Sequence, residues 1–455
     1  MRPLLALILA SLALGGCRTT QPFVLSHVDS LRTSEPAEIA FDGLEFLADS
    51  VPGSLKPRVN IVYMHGIGWT EDPEGDPLAV DFLDGLARAY GVEAQVEAQT
   101  TCLDAGAGPV APGPDVLYIT ADAPLTLSTA LPGATLGLDR IACVDRQVLD
   151  VSDTLEFAVY RVFWDDIFWN ALQFQHVGQD DDRGSSSQIA RERRKYNRRL
   201  KDELVSYGLS DAVLYLGPMG ATVRDAVRGS ICAAHLDAGG YGFAEQGLET
   251  SHAEACRLAG ATRVETNAFA FVSESLGSKI AYDLFRDALT DGRDGPLDRL
   301  VEGSEIYMLA NQIALLSLSD VTTEERPRAL EMTEDQRPTV VAVSEVNDFL
   351  TFELVPFLRQ LWSRSDGGTD FDADFDANGR RAELAASLGF DVVDLRVEFA
   401  DPLVPGVRGL VDPLQAHKDH AAERELMRLI LCGMRGGELR AQGCLAARDR
   451  DNDDE

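Results

Sequence analysis

The stretch Ala268-Phe269-Ala270-Phe271-Val272-Ser273-Glu274-Ser275-Leu276-Gly277 decides how this chain reads. Its first five residues are short, apolar and rich in strand formers, and small or polar residues end the run sharply. Lys279 to Leu289 then shows helical periodicity. A serine on a tight turn between strand and helix projects its hydroxyl above the sheet. Its neighbours must be small because the two backbones pass close together. Gly277 meets that demand, while Ser273 stands where the usual pattern has glycine. The pentapeptide alone is loose; its place between a strand and a helix gives it weight.

Upstream, Val59-Asn60-Ile61-Val62-Tyr63-Met64 reads as a strand that ends in His65-Gly66-Ile67-Gly68-Trp69. Acyl transfer needs backbone N–H donors aimed at the developing oxyanion. Leu276, the residue after the serine, would supply one and Ile67 or Gly68 the other. Downstream, Asp348 follows the apolar strand Val340 to Val343, and His417 follows the strand Val392 to Phe399. His417 would take the proton of Ser275, and Asp348 would orient the imidazole. Asp320 is the alternative acid and His420 the alternative base.

Further strands are expected at Glu156 to Phe163 and Glu305 to Ala310, with an edge strand at Glu38 to Leu47. Helices are expected at Asp81 to Tyr90, Gln188 to Leu204 and Ala421 to Leu431, and residues 211 to 260 open strand-like before turning helical. Apolar runs alternating with helical stretches indicate a mostly parallel central sheet flanked by helices on both faces.

Strand–His-Gly, strand–Ser-x-Ser-x-Gly–helix, strand–Asp and strand–His, in that order, resemble the α/β-hydrolase superfamily. The resemblance spans roughly residues 56 to 431 and implies an eight-strand-type sheet, a nucleophile elbow at Ser275 and serine hydrolysis of esters or amides. His65, Gly66 and Gly277 support the motifs. The segments at about 101–150 and 165–260 read as cap-like insertions in this α/β fold. Esters are favoured over amides by analogy of fold alone. Acyl transfer to an alcohol on the same site is one competing reading, and an inactive envelope-binding lipoprotein is the other. No cofactor or metal is expected.

At the start, Met1-Arg2 precedes an apolar run and Leu14-Gly15-Gly16-Cys17, which resembles the bacterial lipoprotein box. A signal peptide over 1–16 and acylation of Cys17 follow from it. Residues 17–55 would hold the lipidated N-terminus, a polar linker to about residue 35 and the edge strand. Residues 432–455 would form a disulfide-closed segment with an acidic tail. The expected address is the bacterial cell envelope, anchored by lipid and facing the periplasm, with a small-molecule or lipid ester as substrate. No later stretch is apolar enough to span a bilayer.

The 455 residues carry 41 Lys+Arg against 74 Asp+Glu, a formal charge of −33. That balance argues against a nucleic-acid partner, since neutralising phosphates needs a basic surface. The 45% apolar and 25% charged composition is that of a globular protein, and oligomeric state is not legible. Beyond Cys17 there are six cysteines, an even number suited to an oxidising compartment. Nearest-neighbour pairing, Cys102–Cys143, Cys232–Cys256 and Cys432–Cys444, is the expected connectivity.

Three other features are weighed as structural. The cationic run Arg191, Arg193, Arg194, Lys195, Arg198, Arg199 and Lys201 reads as a solvated helix face paired with nearby acids rather than a phosphate or polysaccharide site. Asp374-Phe375-Asp376-Ala377-Asn378-Gly379 starts like a calcium loop, but Ala385 stands where the bidentate acid belongs. Trp164, Phe168 and Trp169 read as core or lid packing that could also line an acyl pocket.

Overall fold

The structure is a computed structural model that describes residues 22–33, 35–50, 56–66, 82–92, 102, 114–128, 135–164, 167, 209–262, 268–291, 296–320, 332–334, 336–365, 379–402, 411 and 413–446. Its strands are β1 (Val24–Ser30), β2 (Ala40–Asp42), β3 (Arg58–Met64), β4 (Val116–Ser128), β5 (Thr135–Ser152) and β6 (Leu155–Phe163). They continue with β7 (Glu249–Ser251), β8 (Ala268–Glu274), β9 (Glu305–Leu309), β10 (Thr339–Glu345), β11 (Asp391–Glu398), β12 (Gly433–Arg435) and β13 (Glu438–Leu439).

Ten strands form one sheet in the order β1-β11-β10-β9-β8-β3-β6-β5-β4-β7. The run from β11 through β6 is parallel throughout. Strands of that kind are covered on both faces and read as near-continuous apolar runs, and β3 is buried from Val59 to Met64. Its Val62 and Met64 join the core beneath helices 220–238, 276–291 and 354–365. Val59, Ile61 and Tyr63 point to the other face, against helices 82–90 and 424–432. The result is a mixed α/β protein with a large, mostly parallel sheet between two helical layers.

Several expectations are corrected. The polar stretch assigned to a linker contains β1, which pairs antiparallel with β11 at the sheet edge. An edge strand held by backbone bonds and half exposed needs no apolar run. The segment at 101–150 is no cap: its described part holds β4 and β5, a long hairpin continuing the sheet beyond β6. Val116 to Ile119 are buried at its base, while 122–124 and 139–140 are exposed, and that polar outer part gives the segment its uncharacteristic composition. Within 165–260, the described residues from 209 onward are mainly helices packed on the sheet, notably Gly220–Ala238, with β7 added at the sheet's end, and residues 210–216 are helical rather than strand-like. Only Ala40–Asp42 of the proposed edge strand at Glu38 to Leu47 is extended. It belongs to a separate sheet, β13-β12-β2, and residues 44–47 are helical.

Disulfides join Cys102–Cys143, Cys232–Cys256 and Cys432–Cys444, as the nearest-neighbour reading expected. They close separations of 41, 24 and 12 residues. Loop entropy puts their contributions at about 4, 3.5 and 3 kcal/mol. Among the described residues no helix is long and apolar enough to cross a membrane. Cys17, the basic run at 191–201, Phe168, Trp169 and residues 374–378 lie outside the described residues.

Candidate active site

β8 ends at Glu274 and a helix begins at Leu276, leaving Ser275 alone at the junction. Ser275 has φ of 53°, a left-handed conformation that a non-glycine residue adopts only when its surroundings enforce it. Two hydrogen bonds hold it there. Its N–H donates to the Leu309 carbonyl on β9 at 2.9 Å, and its own carbonyl accepts from the Ser278 N–H at 3.0 Å.

Two glycines explain why the neighbours must be small. A Cβ on Gly277 would lie 2.4 Å from the Met64 carbonyl oxygen and 2.5 Å from that of His65, so the helix can start against the end of β3 only without a side chain there. A Cβ on Gly66 would lie 2.6 Å from Ser275 Cβ and 3.3 Å from its Oγ. The His-Gly sequence after β3 therefore passes directly over the serine. Ser273, the departure from the glycine pattern, is buried within β8, where its hydroxyl donates to the Tyr307 carbonyl at 3.4 Å. The sheet satisfies the hydroxyl, so the junction tolerates it.

The other two candidate residues arrive from neighbouring strand ends. Asp348 sits in the turn after β10, and His417 in the short helix Pro413–Lys418 beyond β11. Ser275 Oγ lies 2.8 Å from His417 Nε2, and His417 Nδ1 lies 2.6 Å from Asp348 Oδ2. All three side chains are largely buried. The carboxylate can only accept from Nδ1–H, so that nitrogen carries the proton and Nε2 is free to accept from the serine hydroxyl. The second Asp348 oxygen accepts from the Leu350 N–H at 2.9 Å, which fixes the carboxylate plane.

The alternatives have other partners. Asp320 binds Lys279 Nζ at 2.9 and 3.1 Å. Lys279 lies one helical turn after Ser275 and is fully buried, and it also donates to Asp283 at 2.6 Å. His420 is fully buried, donates Nδ1–H to the His417 carbonyl at 3.1 Å, and meets Phe399 edge-on. Burial lowers its pKa to about 4, so it is neutral and props the helix turn bearing His417. His65 donates Nδ1–H to the Gly66 carbonyl at 2.6 Å and stacks on Trp164 at 5.1 Å, which stiffens the loop over Ser275. Trp164 is buried core, as expected. Leu276 opens its helix, where an N–H has no intrahelical acceptor. Ile67 and Gly68 lie outside the described residues.

Two residues at this site escaped the sequence reading. Gln312 is buried, with Nε2 3.4 Å from His417 Nε2. Glu345 is buried at the end of β10 and accepts from Asn347 Nδ2 at 3.0 Å and from the Asn347 backbone N–H. It also accepts from the N–H groups of Phe399 and Ala400 at 3.4 Å. Glu345 thus ties the turn carrying Asp348 to the end of β11. The available signal was a polar residue closing an apolar strand, in Ser344-Glu345 and in Asn311-Gln312. Comparison with family models, curated proteins and solved structures found no match.

Proposed function

We propose that the chain is a serine hydrolase of the α/β-hydrolase type, cleaving carboxylic esters and anchored to the bacterial envelope through a lipid on Cys17. The observation that carries the catalytic reading is the continuous chain Asp348–His417–Ser275, 2.6 and 2.8 Å long at its two links, ending on a serine held at positive φ. His417 Nε2 accepts the hydroxyl proton as Ser275 Oγ attacks the ester carbonyl. Asp348 stabilises the imidazolium that results. The developing oxyanion is held by the Leu276 N–H together with an N–H from Ile67 or Gly68. The imidazolium then protonates the leaving alcohol. Water, deprotonated by the same nitrogen, releases the acyl group and restores the serine.

A fluorophosphonate probe tests this on the full chain. Labelling of the wild type that is lost in Ser275→Ala supports the reading. A folded wild type that takes no label overturns it.

A further inference from the structure

The site and the start of β1 share one rim of the sheet. Ser275, Asp348 and His417 follow the C-terminal ends of β8, β10 and β11, three strands that run parallel. β1 runs against β11, with Val24 opposite Glu398 and Leu25 opposite Val397, so β1 begins where β11 ends. The Val346 N–H donates to the Val397 carbonyl at 3.0 Å, which aligns Leu25, Val397 and Val346 across the three strand ends. At about 4.8 Å per strand, the entry of the chain into β1 lies ~10 Å from the turn that carries Asp348.

That rim is also apolar on its outside. Val346, Phe349 and Phe352 surround Asp348 in sequence and are 51%, 48% and 47% exposed, and Val24 is 41% exposed. Large side chains left in water at the mouth of a buried polar site call for a cover. Six residues, 18–23, separate Cys17 from Val24. The seven Cα–Cα steps from Cys17 to Val24 reach about 24 Å when fully extended. β11 has eight residues and spans about 23 Å from its first Cα to its last. A tether that reaches about one strand length is used up at the far strand ends, before the turns beyond them such as that at Thr154, so a lipid on Cys17 does not bring the opposite rim to the bilayer.

We infer that the rim bearing Ser275, Asp348 and His417 is the membrane-facing surface of the anchored protein, with Val24, Val346, Phe349 and Phe352 set into the lipid interface. This rests on the anchor at Cys17 and is independent of the serine chemistry. Apolar side chains of this size enter the boundary between headgroups and acyl chains. The net charge of −33 leaves attraction to anionic lipid no part in it, so a zwitterionic bilayer is the surface that fits.

The test uses the full chain, extracted in detergent and reconstituted into phosphatidylcholine vesicles with or without brominated acyl chains. Phe349→Trp and Val346→Trp place a reporter on the site rim. Thr154→Trp places one on the exposed turn between β5 and β6, at the opposite rim. Emission added over the parent chain should fall by roughly half or more for either site-rim reporter and hardly at all for Thr154→Trp. Equal quenching of both rims, or none at the site rim of vesicle-bound protein, overturns the orientation. Wild type that does not float with the vesicles overturns the anchor and this inference with it. Loss of fluorophosphonate labelling, by contrast, would strike only the hydrolase reading and leave the quenching pattern unchanged.

Discussion

Gly66→Ala is the substitution that bears hardest on the proposed site. The added methyl would sit 2.6 Å from Ser275 Cβ and 3.1 Å from the Glu274 carbonyl oxygen. Carbon atoms rest at about 3.5–4.0 Å from one another, so one side must yield by about 1 Å. Ser275 cannot yield freely, because its φ and both of its backbone hydrogen bonds are fixed by β9 and the following helix. Moving it by that amount along its bond to His417 would stretch 2.8 Å beyond hydrogen-bonding reach. A displacement of this size costs about 100-fold in rate. Overpacking of the junction should cost about 1–3 kcal/mol of stability. The assay pairs kcat/KM on a chromogenic ester and the rate of fluorophosphonate inactivation with the urea midpoint. Gly137→Ala is the control, since nothing lies within 4 Å of its added methyl. A folded Gly66→Ala protein within roughly threefold of the wild-type rate would refute the argument that this loop covers the serine.

Three further outcomes are expected. Asp348→Asn should leave the fold intact and lower kcat by about 10⁴-fold through the wrong imidazole tautomer, as read from ester turnover. Lys279→Met strips the buried Asp283 and the partly exposed Asp320 of their shared buried ammonium and should cost about 3 kcal/mol in urea unfolding. His420 titrates at about 4 in the fold and at 6.5 unexposed to such burial, so the unfolded chain binds its proton first as pH falls. Its contribution is complete above pH 6.5 and is lost as pH drops through about 4, amounting to about 3 kcal/mol. His420→Asn should flatten that part of the stability profile, and an unchanged slope between those limits would count against the assignment.

The parallel strands were legible because burial on both faces leaves a continuous apolar run, as in Val59 to Met64 and Val340 to Val343. The serine junction was legible for a similar reason: Gly66 and Gly277 stand where backbones touch, and sequence records such sites as glycine. β1 was illegible because its partner, not its composition, makes it a strand, and that partner lies far along the chain. β4 and β5 were hidden by averaging a buried base with an exposed outer part. Gln312 and Glu345 could not be told from surface polar residues, since their roles depend on contacts across 105 residues and across 54 to 55 residues respectively. His417 and His420 were separable only by ring orientation, one toward Ser275 and the other toward a backbone carbonyl.

The pairing of β1 with β11 also sets the order in which this protein can assemble. Ser26 and Arg396, bonded across that ladder, are 370 residues apart, so the first strand to be synthesised waits for nearly the last. Contacts of such long range close slowly, and the waiting strand exposes an unpaired backbone edge in the meantime. A chain truncated before residue 391 has no strand for β1 to join. Completion of the sheet is therefore a late, whole-chain event, and an N-terminal fragment ending ahead of β11 should stay susceptible to proteases along Val24–Ser30.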